Sequence, residues 1–203
     1  MSRARVYVEG GGSRRELQAK CRRGFRTFLS KTVSPVQVPD IVSCGGRGTA
    51  YNRFCSAWRQ ASDHELLILL VDSEGPVSEG FGAWTHLSNH DNWAKPAGAT
   101  DDNAHLMVQC MEAWFLADKN ALAGYFGPGF ATNALPPRPN IEQVPKTDIE
   151  AGLKDATRAT GKGRYNKGRD SYAILGELDP ELVASASAHA QRLLRTLGTH
   201  VSE

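Results

Sequence analysis

Glu65-Leu66-Leu67-Ile68-Leu69-Leu70-Val71-Asp72-Ser73-Glu74-Gly75 is the stretch that decides the fold. From Leu66 to Val71 the apolar residues run without alternation. A strand with one wet face alternates, so an unbroken apolar run of strand length predicts a central strand covered on both faces, as in parallel sheets. The run is the densest in the chain, yet falls far short of the roughly 18–20 apolar residues that span a bilayer. It ends on two acids, Asp72 and Glu74.

Toward the amino terminus, Arg5-Val6-Tyr7-Val8 is short, β-prone and halted by Glu9-Gly10-Gly11-Gly12. Ser13, with Glu16 three residues on, predicts a capping box at the start of a helix. That helix runs to about Ser30, with Leu17, Cys21, Phe25, Phe28 and Leu29 on one face and bases on the other. Val36–Cys44 holds a second strand, placed at Ile41-Val42-Ser43, and Gly45–Gly48 is a turn. Thr49–Ala61 reads as a helix with Tyr51, Phe54, Cys55 and Trp58 inward. Strand and helix in alternation imply parallel pairing and an α/β sandwich.

Toward the carboxyl terminus, Ser73–Asn103 reads as a loop. It is long for a compact domain, which predicts a functional or partly structured insertion. Ala104–Gln109 is a fourth strand and Cys110–Phe126 a helix, with Met111, Trp114, Phe115, Leu122 and Phe126 apolar. After breaks at Gly127-Pro128-Gly129 and Leu135–Pro139, helices are expected at about Thr147–Thr157, Arg169–Leu178 and Pro180–Leu197, where proline suits a helix start. The expected organisation is one compact unit: an α/β core over 1–126 and a helical extension over 127–203 that carries a basic loop.

With 203 residues, 40% hydrophobic and 23% charged, the chain has the composition of a single soluble globular domain. The amino-terminal residues show no apolar signal-like run, so a cytoplasmic location is expected. The four cysteines form no C-x-x-C pair, which excludes a zinc ribbon or thioredoxin motif and predicts free, mainly half-buried thiols. The net charge of +2 hides an uneven distribution. Arg3–Lys31 has nine bases against Glu9 and Glu16; Asp63–Asp118 has ten acids against Lys95; Lys154–Arg169 has six bases against Asp155. An acidic middle between basic ends suits a metal site beside a polyanion track.

Glu9 comes directly after the first strand; Asp72 and Glu74 close the central one. Ligands of open parallel sheets bind at the carboxyl ends of strands, where adjacent ends would gather these three carboxylates. Asp-x-Glu also puts two side chains on the same side of an extended chain. Hard oxygen donors without His or Cys favour Mg²⁺ or Mn²⁺ over Zn²⁺, and with no cation the cluster would repel itself. Glu112 lies amid Met111, Trp114 and Phe115, where a carboxylate needs a partner; it is a candidate further ligand or water-orienting acid. Lys162, Arg164, Lys167 and Arg169 are spaced by glycines around Tyr165, an arrangement suited to phosphodiester contact and base stacking. The basic face of the first helix could extend that track. His86, His90, His105, Asp91, Asp101 and Asp102 read as structural or surface groups, and Trp84, Trp93 and Trp114 as core by default. Phosphate-loop and dinucleotide glycine patterns are absent.

Val8-Glu9-Gly10 and Leu70-Val71-Asp72-Ser73-Glu74-Gly75 resemble the Toprim domain, shared by topoisomerases, bacterial primases, OLD-family nucleases and small RNA maturases. Over nearly the whole chain, including VYVEGGG, LLVDSE, His105–Asp118 and KGRYNKGR, the sequence is more similar to the DUF4276 proteins, which resemble Toprim nucleases of the OLD and RloB type. The resemblance implies a Toprim-like parallel sheet of about four strands sandwiched by helices, with a helical C-terminal extension. It implies a Mg²⁺- or Mn²⁺-dependent nuclease in which Glu9, Asp72 and Glu74 bind metal and, with Glu112, are catalytic. It also implies a setting in bacterial defence against phage or mobile elements, with nucleic acid and an AAA- or ABC-type ATPase as partners; a homo-oligomer is left open and no membrane is expected. Glu74 stands where the Toprim pattern has aspartate, which keeps the charge and lengthens the arm. The chain is too short for a topoisomerase and lacks a primase zinc module; a small RNA maturase fits by size. The alternative is a non-catalytic or partner-gated subunit of an ATPase-containing defence complex.

Overall fold

The computed structural model describes residues 3–33, 38–62, 64–137 and 139–199. Among the described residues four strands form one parallel sheet: β1 (Arg3–Val8), β2 (Asp40–Ser43), β3 (Glu65–Asp72) and β4 (Ala104–Met107), in the order β2-β1-β3-β4. Val8 lies beside both Ser43 and Leu70, and Asp72 beside Met107. The strands therefore finish at one edge, and the residues just beyond their carboxyl ends are gathered there. Residues 36 and 37 of the stretch expected to hold the second strand lie outside the described residues.

Two apolar layers explain the unbroken pattern of β3. On one face Val6, Val8, Ile68 and Leu70 pack with α1 (Arg15–Ser30) through Phe25, Phe28 and Leu29. On the other, Tyr7, Leu67, Leu69 and Val71 pack with Phe54 of α2 (Arg47–Trp58) and with Trp84 and Leu87 of α3 (Ala83–Asp91). Residues Leu67 to Val71 are fully buried. Each large apolar side chain removed from water contributes about 1.5–3 kcal/mol, so β3 is the main anchor of both layers.

The first layer continues into the carboxyl-terminal helices: α4 (Lys119–Phe126), α5 (Lys146–Ala156), α6 (Lys167–Glu177), α7 (Pro180–Ala186) and α8 (Ala188–Thr199). Its core runs from Val6 through Trp114 to Leu197, so extension and sheet share one interior. Three cysteines, Cys21, Cys44 and Cys110, are buried, Cys55 is half-buried, and all four are free. No helix among the described residues is long and apolar enough to cross a membrane.

Several local expectations are corrected. Arg14, not Ser13, precedes α1 and makes no side-chain cap, while Glu16 turns to Lys20 at 2.8 Å. The Ser73–Asn103 segment contains α3, whose inner residues fill the second layer. The expected helix over Cys110–Phe126 is a 3-10 helix, Met111–Ala117, followed by α4, which restarts where Asp118 accepts a bond from the Ala121 N–H at 2.9 Å. The last helix breaks at Ser187, which is extended and whose hydroxyl accepts a bond from the Ala190 N–H at 3.0 Å.

Gly24 sets how closely α1 and α6 approach. A Cβ there would lie 2.5 Å from the backbone oxygen of Tyr172. Glycine to alanine inside a helix normally gains about 1 kcal/mol; here overpacking reverses the sign. Gly24→Ala is expected to destabilise the protein by about 1–3 kcal/mol, read as a lower urea midpoint with an unchanged slope.

Candidate functional site

Backbone pairing beyond the strand ends positions the acids. The Glu9 N–H donates to the Leu70 carbonyl at 3.0 Å, so Glu9 continues the β1–β3 ladder by one residue. The Ser73 and Glu74 N–H groups donate to Met107 and Gln109, both at 3.0 Å, so the chain after β3 stays tied to the chain after β4. Glu74 departs from the extended geometry expected of Asp-x-Glu: its φ is 62°, in the left-handed region. Non-glycine residues adopt that region at a cost and concentrate at functional sites. This turn, not strand alternation, brings its carboxylate back toward Asp72.

Glu9, Asp72 and Glu74 each offer an oxygen within 4.8 Å of the others, forming a compact ligand group among the described residues. Asp72 is buried, and its Oδ1 accepts the Met111 N–H at 2.9 Å. Burial, reinforced by Glu9 and Glu112 against the pull of Lys167 and Lys146, pushes its carboxyl up to about 7. Burial also raises Glu9, while Arg47 and the Asp72 N–H oppose it. This donor set, all hard oxygen and self-repelling, fits Mg²⁺ or Mn²⁺.

Glu112 lies beside this group with its carboxylate engaged: it accepts bonds from the Tyr165 hydroxyl and from Lys167 Nζ, both at 3.1 Å. Tyr165 is thus buried beneath the site rather than presented for stacking. The basic loop divides in the same way. Lys167 is drawn to Glu112 as the first residue of α6, and Arg169 pairs with the buried Asp170 at 2.7 Å. Lys162 rests over the Tyr125 ring at 3.7 Å, and Arg164 is exposed. Arg22, Arg23 and Arg26 of α1 line a depression with Asp40. Asp40 begins β2, so these three arginines lie toward the opposite edge of the sheet from the carboxylates, and only the bases at the start of α1, Arg14 and Arg15, follow the glycine turn.

Arg47, which the sequence pattern does not single out, clamps the other side. It donates to both Asp91 oxygens at 2.8 and 2.6 Å, to Glu9 Oε2 at 3.4 Å and to the Asp72 carbonyl, and its guanidinium lies 5.0 Å from the Trp93 ring. One signal does point to it: it comes after Gly45-Gly46 at the end of β2, a strand-end position like that of Glu9. Lys146, which donates to Glu74 Oε2 at 2.6 Å, carries no such signal. His86 Nε2 lies 2.9 Å from the Ser73 carbonyl, and its ring stacks on His90. His105 is buried, and burial first, then Arg192, pushes its imidazole down to about 3, so it stays neutral and apart from the acids.

The glycine turn forms the roof. Gly11 has φ +86° and its N–H donates to the Tyr172 hydroxyl at 2.6 Å; a Cβ there would collide with Ser43 Oγ. Below it a cavity of about 270 Å³ is lined by Glu9, Asp72, Met111, Lys167 and Tyr172. A second cavity of about 350 Å³ adjoins it across Lys167 and Gly168, with Lys146, Lys154 and Tyr165 in its wall.

Because the folded pKa of Asp72 lies above its ordinary 3.8, its favourable contribution is complete below about 4 and lost as pH rises through about 7. Asp72→Asn keeps an acceptor for the Met111 N–H. In EDTA at pH 8 this variant is expected to be more stable than wild type by on the order of 2–4 kcal/mol. The gap should close by pH 4, which thermal melts across pH will show.

The family model described as a domain of unknown function, DUF4276, matches residues 8–198. No curated protein and no solved structure matches the chain. The matched span holds the glycine turn, every acid of the site and the helices that carry their partners, and the chain belongs to the DUF4276 family.

Proposed function

We propose that the protein is a Mg²⁺- or Mn²⁺-dependent phosphodiesterase acting on nucleic acid. The observation that carries this reading is the convergence of Glu9, Asp72 and Glu74 within 4.8 Å, with Glu9 and Asp72 lining a cavity walled by a glycine turn and Lys167. Glu9, Asp72 and Glu74 are the residues that would hold the cation, whose chemistry there is polarisation of a phosphoryl oxygen and acidification of water. Glu9, half-buried and raised in pKa, is suited to accept a proton from the attacking water. Arg47 and the Asp72 N–H fix the orientation of that carboxylate. Lys167 and the exposed Arg164 offer positive charge to phosphates, and affinity for nucleic acid should fall steeply with salt. The setting in phage defence and the ATPase partner rest on the family resemblance.

The deciding experiment is a cleavage assay on labelled single- and double-stranded DNA and RNA with Mg²⁺, Mn²⁺ or EDTA. Cleavage should require the metal and fall by at least about 10³-fold in Asp72→Ala. Inactivity on every substrate would discard the autonomous nuclease in favour of a partner-gated subunit. Metal affinity should also drop about tenfold per pH unit below about 7, as protons compete for Asp72; calorimetric titration of Mg²⁺ at pH 5.5, 6.5 and 8 measures it.

A further inference from the structure

Among the described residues, Arg47, Lys146 and Lys167 neutralise the acids of the site, and they are not held alike. Arg47 has both Asp91 oxygens, the Asp72 carbonyl and the Trp93 ring as partners, and its side chain is only 15% exposed. Lys167 is itself 58% exposed, but the acid it reaches, Glu112, is only 7% exposed and is fixed by Tyr165. Lys146 is different. Among the described residues its ammonium hydrogen-bonds Glu74 Oε2 alone, and the two side chains are 38% and 31% exposed. An ion pair that open to water holds its partner weakly. Lys146 is also the first residue of α5, where the positive end of the helix dipole disfavours a cation. Its placement is thus sustained by the acids it faces. The same side chain lines the 350 Å³ cavity, together with two lysine–glutamate pairs, Lys154 with Glu150 and Lys167 with Glu112.

We propose that Lys146 is an exchangeable counter-ion: a divalent cation taking up Glu74 displaces the Lys146 ammonium, which then serves the neighbouring cavity as a binding group for a phosphate-bearing nucleotide. This rests on the metal-site reading above and adds an order to it. While Lys146 neutralises Glu74, it competes with the cation and is withheld from phosphate. Once displaced, it is the donor left without a carboxylate in a cavity where Lys154 is paired with Glu150 and Lys167 with Glu112. Cation and nucleotide therefore strengthen each other's binding, and the coupling is reciprocal. The 350 Å³ cavity is of small-molecule size, so it admits a single nucleotide rather than a base-paired duplex.

The test uses the full chain as wild type, Lys146→Met, Lys146→Arg and Lys154→Met. Free Mn²⁺ is followed by electron paramagnetic resonance, and adenosine 5′-monophosphate binding by calorimetry with and without saturating Mn²⁺. Lys146→Met should bind Mn²⁺ roughly three- to tenfold more tightly than wild type, because a competing charge has gone. Lys146→Arg and Lys154→Met should bind it like wild type. Mn²⁺ should strengthen nucleotide binding about tenfold in wild type and less than about threefold in Lys146→Met. Equal Mn²⁺ affinity in wild type and Lys146→Met, or an undiminished Mn²⁺ effect on the nucleotide, overturns the exchange while leaving the metal site standing. Absence of Mn²⁺ binding by wild type removes both.

Discussion

The burial of one carboxylate, Asp72 at the end of β3, is the constraint around which the rest of the site is built. The strand that delivers it is apolar on both faces and cannot bring a charge into the interior without compensation. Two further acids, Glu9 and Glu74, add to the problem rather than relieve it. The relief comes from helix starts. Arg47, Lys146 and Lys167 are the first residues of α2, α5 and α6. A cation is disfavoured at each of those positions, and each finds its compensation in acids: Arg47 in Asp91 and Glu9, Lys146 in Glu74, and Lys167 in Glu112. Three local departures from helix rules thus meet around one point.

The carboxyl-terminal helices are part of that solution. Tyr165 and Lys167 engage Glu112, Lys146 engages Glu74, and the Tyr172 hydroxyl holds the glycine turn. Gly24 lets α6 come close enough to α1 for Tyr172 to reach Gly11. On the opposite face, Arg47 ties α2 to α3 through Asp91 and to the sheet through the Asp72 carbonyl. The acids are therefore framed from both layers, which is why a cavity persists at the sheet edge instead of collapsing.

The acids themselves are legible in the sequence because strand ends obey a simple rule: apolar runs locate the strands, and parallel pairing aligns their carboxyl ends. Glu112 is legible as a carboxylate in apolar company that has to find a partner. Its partners are not, since Tyr165 and Lys167 lie more than fifty residues away and read locally as parts of a phosphate-binding loop. The expected capping box at Ser13 fails because Glu16 pairs with Lys20 instead. α3 leaves no readable period because its buried residues, Ala83, Trp84, His86 and Leu87, are too few to set one.

Local apolar pattern and strand direction are enough to specify the parallel α/β core and the convergence of Glu9 and Asp72, and both are written in the sequence. How the charges are shared is settled by the packing of the elements in space. The left-handed turn at Glu74, the Arg47–Asp91 clamp and the Lys146 and Lys167 pairings each depend on distances between elements remote in sequence. Electrostatic energy falls off with distance in space, and separation along the chain carries no record of it.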